Sequence, residues 1–425
     1  MKRTLYIAIA ALMVAPSTAF AQNDKKEAVK DHLENHFKVY GFVRNYFAFD
    51  TRESTAGTGD LYYYMPKDEN WNFPSEEAAK LAGGERQDLN AIPSFRYLSL
   101  TSRVGMDITG YEIKGYKIGG KIEADFYAGI SGATGTAQLR LRQAYATVAK
   151  DWRKWTLGQA WHPMAADMPD IFSLNTGAPF GPFGRTPLAQ FDRSLSDSWS
   201  LTAAAIWQQQ YTSAGPEGAS ANYMKYGGIP EIYAGVSYNG SNGLIRLGVD
   251  MLSIKPYQNK SERLTTVTPF LYAQYAKDLF SVKFKTVYAQ AGEQVCLNGG
   301  YGLAADGGFT PTTNSSSWIS LAYGKDWKWI LFGGYVKNFG TTEALANAKD
   351  FWFSKNSFSN MNAMYRLTPT VIRSFGKVQL GLEYELTSVL YGDSAKGINL
   401  NTGLFEEGLH WVTNNRVQMM LKYTF

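Results

Sequence analysis

The chain alternates. From Leu98 to Ile108 the even positions read Leu98, Leu100, Ser102, Val104, Met106 and Ile108, and the odd positions read Ser99, Thr101, Arg103, Gly105 and Asp107. Successive side chains leave a strand on opposite faces, so this stretch has one apolar and one polar face. Ile118, Gly120, Ile122, Ala124 and Phe126 alternate likewise with Lys121, Glu123 and Asp125, and Val378, Leu380, Leu382 and Tyr384 with Gln379, Glu383 and Glu385. Sixteen such segments begin near Phe37, Phe95, Gly115, Gln138, Lys154, Leu188, Trp199, Gly228, Gly243, Thr265, Leu279, Asn314, Trp327, Ser359, Lys377 and Trp411. The fifth, sixth and twelfth read as short. An even number is what a closed single-chain bacterial barrel requires.

The connections sort by length. Short turns are expected around Thr109-Gly110, Asp151-Trp152, Ser196-Asp197, Gly240–Asn242, Lys277-Asp278, Lys325-Asp326 and Phe375-Gly376. Longer loops fall between them, at about 51–94, 162–187, 212–226, 292–313, 341–358 and 392–410. Short turns on one side and long loops on the other mark a membrane barrel, whereas a soluble sandwich or propeller has no reason to sort them. The pattern therefore predicts an all-β protein, a transmembrane antiparallel up-and-down β-barrel of sixteen strands with short periplasmic turns and long extracellular loops. In the first long loop, Ser75 to Lys80 has room for one helical turn.

The first residues change the picture of where the barrel works. Lys2 and Arg3 precede the apolar stretch Leu5 to Val14, and Ala19-Phe20-Ala21 is a small-x-small cleavage site. Cleavage between Ala21 and Gln22 removes 21 of 425 residues and leaves 404. The expected organisation is a signal peptide over 1–21, a short periplasmic segment over 22–36 and the barrel over 37–425. The apolar stretch is too short to span a bilayer, and no later segment offers about 18 consecutive apolar residues, which excludes a helical membrane protein.

Charge and composition narrow the function. Without Lys2 and Arg3 the 42 basic residues become 40 against 37 acidic, a formal charge of +3. That balance, in an exported chain, argues against nucleic-acid binding. Cys296 is the single cysteine, so no intrachain disulfide and no cysteine-based metal site is available. No metal or cofactor is expected. Tyr, Phe and Gly are abundant, as suits a barrel with aromatic girdles.

The last strand is the most specific feature. Val417, Met419, Leu421, Tyr423 and Phe425 share one face, and Arg416, Gln418 and Lys422 the other. Termini of soluble proteins usually fray as polar tails, but a barrel in lipid must pair its last strand with its first, because an open edge would leave amides unsatisfied.

The final Phe425, with Tyr423 two positions earlier, resembles the assembly signature of Gram-negative outer-membrane proteins, which implies recognition by the barrel assembly machinery. Several internal stretches resemble the DcaP-like trimeric porins: Ser102-Arg103-Val104-Gly105, Leu139-Arg140-Leu141-Arg142-Gln143-Ala144-Tyr145, Leu157-Gly158-Gln159-Ala160-Trp161, and Thr368-Pro369-Thr370 running on to Gly381-Leu382-Glu383-Tyr384. Their order along most of the barrel carries the likeness further than any one of them. The resemblance implies a homotrimer of sixteen-stranded barrels in outer-membrane lipid, each with its third long loop folded into the lumen. The short N-terminal segment departs from it, since a long periplasmic coiled coil found in some such porins is absent.

If the apolar faces meet lipid, the alternate positions point inward. Arg44, Arg103, Lys121, Arg142 and Arg416 are then luminal. Each lies about seven to nine residues from the periplasmic end of its strand, and a rise of about 3.3 Å per residue at a tilt near 45° puts them roughly 16–21 Å up. Strands sixteen, one, two, three and four are consecutive in a closed barrel, so these cations should form one basic wall, with Arg140 a step above. The loop from His162 to Pro187 is the third long loop if Ile130 to Ala137 is the second. Folded inward, its Asp167 and Asp170 would face the basic wall and create a transverse field. The plainer reading pairs the arginines with Glu123, Asp125 and Asp107.

Other candidates are weak. Gly177, Gly181 and Gly184 lack the strand-to-helix context of a phosphate loop. His162, at a strand end, belongs to no legible Ser-His-Asp arrangement, so no catalytic residue is expected. Cys296 is expected in a surface loop, and Trp327 and Trp329 in an interfacial girdle. The function expected is passive diffusion of small hydrophilic solutes through a water-filled lumen with mild anion preference. An outer-membrane hydrolase would instead show an activity lost on changing His162 or another histidine, and an adhesin or structural barrel would have a closed lumen. An active transporter needs a plug domain, which the segment before Phe37 is too short to supply.

Overall fold

Alternation dictates a sheet with two unlike faces, and closure disposes of its edges. The computed structural model describes residues 36–56, 63–128, 137–354 and 357–425. The predicted signal peptide with Ala21 and Gln22, the segment 22–35 and nearly all of the segment from Ile130 to Ala137 lie outside the described residues.

Sixteen antiparallel strands form one closed sheet. β1 is Phe37–Asp50, and β2 comes in two pieces, Ser94–Leu98 and Arg103–Ile113, both paired with β1. β3 (Tyr116–Ala128), β4 (Ala137–Lys150), β5 (Arg153–Trp161) and β6 (Arg185–Ser194) follow. Next come β7 (Trp199–Ile206), β8 (Glu231–Asn239), β9 (Gly243–Ile254), β10 (Leu264–Lys277) and β11 (Phe280–Gln290). β12 (Phe309–Gly324), β13 (Trp327–Thr341), β14 (Met361–Phe375), β15 (Val378–Tyr391) and β16 (His410–Thr424) complete the wall. Each pairs with its sequence neighbour, and β16 closes on β1 from Phe42↔Thr424 to Asp50↔Arg416. In the first long loop, Ser75 caps the short helix α1 (Glu76–Leu81) by accepting the N–H of Ala78.

Every predicted segment finds its strand, but four local expectations change. The even positions from Leu98 to Ile108 do not share one face: Leu98 and Leu100 pack inside, Phe95 and Tyr97 face out, and after the gap at Thr101 the phase reverses so that Val104 faces out. The turn expected at Thr109-Gly110 sits at Lys114-Gly115, and Thr109-Gly110 lies inside β2, where the pairing with β3 slips between Ile108 and Tyr111. β12, expected to be short, has 16 residues. Its inward face is small and polar, with Thr310, Thr312, Asn314, Ser316 and Ser320 all buried, so apolar alternation understates it. Cys296 is not in a surface loop; it is buried beside Phe183 and Tyr211, and burial pushes its thiol up to about 12.

The two faces differ as alternation requires. On β15 Leu380 and Leu382 are each 47% exposed, while Glu383 and Glu385 are 0% and 2% exposed. The outer face is an apolar belt, with Trp155, Trp199, Trp327 and Trp329 exposed near the short turns as a girdle. The packed apolar core lies inside the barrel, where Met164, Ile171 and Phe180 of the loop after β5 meet Trp318, Phe332 and Met364 of the wall.

Phe425 sits at the seam. Its N–H donates to the carbonyl of Gly41 at 3.1 Å, and its ring lies where a Cβ on Gly41 would come within 2.5 Å of Cζ. Deleting Phe425 removes this seam contact between the last strand and β1. Lower outer-membrane yield and loss of heat-modifiable gel migration are expected; unchanged yield and migration would reject that role.

Candidate constriction site

The loop between β5 and β6 fills much of the lumen. Its neck is closed by the N–H of His162 donating to the Gly184 carbonyl at 3.0 Å. From there it is tied to the wall at successive points. Lys285 on β11 donates to the carbonyls of Met164 and Asp167 at 2.7 and 2.8 Å. Asp167 pairs with Arg246 on β9, and Asp170 with Lys283 on β11 and Lys328 on β13, both at 3.1 Å. Further along, the N–H groups of Phe172 and Ser173 donate to the Glu383 carboxylate at 3.0 and 3.1 Å, and Asn175 donates to Glu385 at 3.1 Å. Tyr46 on β1 donates to the Phe172 carbonyl at 2.8 Å.

Two glycines on the wall make room for the loop's aromatic rings. A Cβ on Gly381 would lie 2.6 Å from Phe172, and one on Gly334 would lie 2.4 Å from Phe180. No side chain larger than hydrogen fits there while the rings stay docked.

The loop stops short of the wall of β1 to β4. There the side chains of Arg44, Arg103, Arg140 and Arg142 and of Arg185, the first residue of β6, surround a cavity of about 190 Å³. Its opposite lining comes from the loop: Met168, Ile171, Ser173, Leu174 and Thr176. The guanidinium groups are held by defined partners. Arg140 meets Asp125 through two parallel bonds of 2.9 Å. Arg142 bridges Glu123 at 2.7 Å and Asp125 at 2.8 Å, and Arg103 stands 3.6 Å from Glu123. Arg44 has no carboxylate within ion-pair distance among the described residues; it donates to the Thr101 hydroxyl at 3.1 Å and lies over the rings of Phe42 and Tyr46. Thr101 occupies the gap between the two pieces of β2 with φ at 75°, a left-handed conformation unusual for a branched residue, and this turns its hydroxyl to Arg44.

The predicted residues separate into groups. Arg44, Arg103, Arg140 and Arg142 come together. Lys121 lies beyond them on β3, paired with Asp107 at 2.9 Å and with the Tyr40 hydroxyl. Arg416 stands apart, bound to Asp50 at 2.9 Å and Glu385 at 3.3 Å. The neighbour of Arg44 across the seam is Lys422 instead. Counting from strand ends misplaced Arg416 because β1 continues past the end of β16: Phe42 already faces Thr424. Stagger of this kind is inherent in a closed, tilted sheet. Six residues between Arg416 and Lys422 amount to about 20 Å along the strand. Asp167 and Asp170 do not face the basic wall; they are spent on cations of β9, β11 and β13. The acids that moderate the basic wall are Glu123 and Asp125 within it.

Sequence reasoning missed Arg185, Glu383 and Glu385 as site residues. Arg185 is 2% exposed, stacks on Trp161, donates to Gln210 and leaves Nη1 without a partner. It sits at a loop-strand junction, before any alternation is established. Glu383 and Glu385 lay visibly on the polar face of β15, but nothing in the pattern marks them as anchors for a loop two hundred residues away.

Against solved structures, the chain is similar to the outer-membrane channel DcaP of Acinetobacter baumannii, at 18% identity and a TM-score of 0.68, over 92% of this chain and 97% of that one. It has the porin fold. An anion-selective porin from Comamonas acidovorans aligns at 12% identity and TM-score 0.51, over 92% and 99% of the two chains. OmpF of Salmonella typhi, solved with daunomycin, aligns at 12% and 0.50, over 92% and 98%. No protein-family model and no curated protein matches the chain. In this porin fold the loop after β5 is the inward element, and the basic wall lines the cavity between that loop and β1 to β4.

Proposed function

We propose that this protein is an outer-membrane porin, exported after removal of residues 1–21, that passes small hydrophilic solutes by passive diffusion with a preference for anions. The observation that carries the reading is the cavity between an inward loop and a wall of guanidinium groups. Five arginines, Arg44, Arg103, Arg140, Arg142 and Arg185, stand against two carboxylates, Glu123 and Asp125, an excess of three positive charges. Fixed charge at a narrow passage between low-dielectric walls concentrates the opposite ion there. Arginine stays charged at any working pH, so the preference is insensitive to pH near neutrality. Size selection falls to the loop and charge selection to the wall. A homotrimer in outer-membrane lipid fits the fold and the resemblance in the sequence.

The test is single-channel recording of purified protein in a planar bilayer. Stepwise conductance, with a reversal potential in a KCl gradient that favours chloride, is expected. Absence of conductance would favour a structural or adhesive barrel, and hydrolytic activity lost in His162→Ala would favour an enzyme.

A further inference from the structure

We propose that His162, Glu231 and Asp250 form a structural site for a divalent transition-metal ion of the zinc type, which locks the neck of the inward loop to the barrel wall. His162 is the first residue after β5, Glu231 opens β8, and Asp250 lies on β9. All three are buried, at 0%, 1% and 2% exposure.

The distances from His162 fit an ion better than they fit direct bonds, and Glu231 and Asp250 stand within hydrogen-bond reach of each other, where two carboxylates need a shared proton or a cation between them. His162 Nε2 lies 3.4 Å from Glu231 Oε1 and 3.7 Å from Asp250 Oδ1, and one ligand atom from each of the three falls within 4.8 Å of the others. The separations from His162 are long for hydrogen bonds. A tetrahedral ion with ligand bonds of about 2.0–2.2 Å holds its ligand atoms about 3.3–3.6 Å apart. Both His162 Nε2 and Asp250 Oδ1 are buried without a hydrogen-bond partner, and both belong to the set that converges here.

Charge points the same way. Two carboxylates are buried side by side, and among the described residues no lysine or arginine lies within ion-pair distance of either. Arg246, the nearest cation along β9, is paired with Asp167. Buried charges require a compensating partner. A divalent cation neutralises both carboxylates at once. Histidine among the ligands, with few oxygens, suits zinc and its neighbours and not calcium, which takes six to eight oxygens.

A fourth ligand is at hand. Gln294, in the loop after β11, donates its amide to Glu231 Oε1 at 3.3 Å, while its own Oε1 is buried and unpartnered. Turning the amide over brings that oxygen toward the same centre. Three protein ligands and an amide oxygen make a closed, four-coordinate site, as in structural and not catalytic zinc centres. Loading needs the ring proton on Nδ1, so the bond of 3.2 Å from the Met164 N–H to Nδ1 is the contact the ion displaces. The ion would join two inward loops and two strands in one cross-link.

The test uses the full chain, refolded in detergent with stoichiometric zinc and then freed of excess metal by dialysis. About one zinc per chain is expected in the wild type by elemental analysis, and none in Asp250→Asn or His162→Gln, chosen to keep side-chain volume. Unfolding of the wild type, followed by heat-modifiable migration, should shift to higher temperature with zinc and return with chelator, while Asp250→Asn should not respond. Wild type that retains no zinc and melts alike in zinc and chelator would overturn the proposal and assign the compensation to protons. Equal zinc in wild type and both variants would overturn the ligand assignment.

Discussion

With Arg44 and Arg103 both replaced by glutamate, the reversal potential in a KCl gradient is expected to change sign. The wild-type wall carries five guanidinium groups against Glu123 and Asp125, an excess of three positive charges. Reversing two of the five turns that into an excess of one negative charge. These two are the right pair to change. Arg140 and Arg142 are bound at 2.9 Å or less to Glu123 and Asp125, so removing them uncovers acids and disturbs a buried network. Arg44 has only a hydroxyl partner and Arg103 only a loose one. Arg44→Ala with Arg103→Ala is expected to fall between wild type and the reversal, with preference for chloride reduced but kept. The contrast should shrink in concentrated salt, since the Debye length is about 10 Å at 0.1 M and about 3 Å at 1 M. Recordings at low ionic strength with equal potentials in all three proteins would eliminate the basic wall as the selectivity element.

How far the chain announces this arrangement depends on the range of the physics involved. The barrel was legible because its rule is local: each inward residue is followed by an outward one, and a one-residue slip would put Glu383 and Glu385 into lipid. The two-piece β2 was legible only in part, since Leu98 packs inside against Tyr46 and Phe172 while Val104 faces out, and the alternation changes phase across the gap at Thr101. Rows across strands were less legible. Arg103, Asp125 and Arg140 fall on one row with Phe42 because register sets them there, through Phe42↔Arg103, Arg103↔Asp125 and Asp125↔Arg140, and Arg44 is the next inward position along β1. That register depends on stagger, which strand ends do not report, and so Arg416 was placed where Lys422 belongs. The partners of Asp167 and Asp170 were not legible at all. They lie on strands more than seventy residues further on, and only the path of the loop decides which cations it meets. The same holds for His162, whose neighbours Glu231 and Asp250 come from β8 and β9.

Freeing the tip of the inward loop should enlarge the channel without harming the barrel. Three donors hold the tip to β15: the N–H groups of Phe172 and Ser173 on Glu383, and Asn175 Nδ2 on Glu385. A hydrogen bond to a charged acceptor contributes about 1.5–3 kcal/mol, so losing three removes roughly 4 kcal/mol or more, close to a thousandfold in the ratio of docked to undocked tip. Glu383→Ala with Asn175→Ala is therefore expected to raise single-channel conductance and add open-channel noise. The base of the loop should stay in place, because Lys285, and Asp170 with Lys283 and Lys328, are untouched. Glu383→Ala also deletes a luminal charge, which could alter conductance by itself. Gly381→Ala separates the two causes. It changes no charge, yet its Cβ would stand 2.6 Å from the Phe172 ring and must push that ring off the wall. If loop docking sets the opening, Gly381→Ala raises conductance and noise as the double variant does, with heat-modifiable migration as in wild type. Wild-type conductance and noise in Gly381→Ala would mean that the tip does not bound the passage.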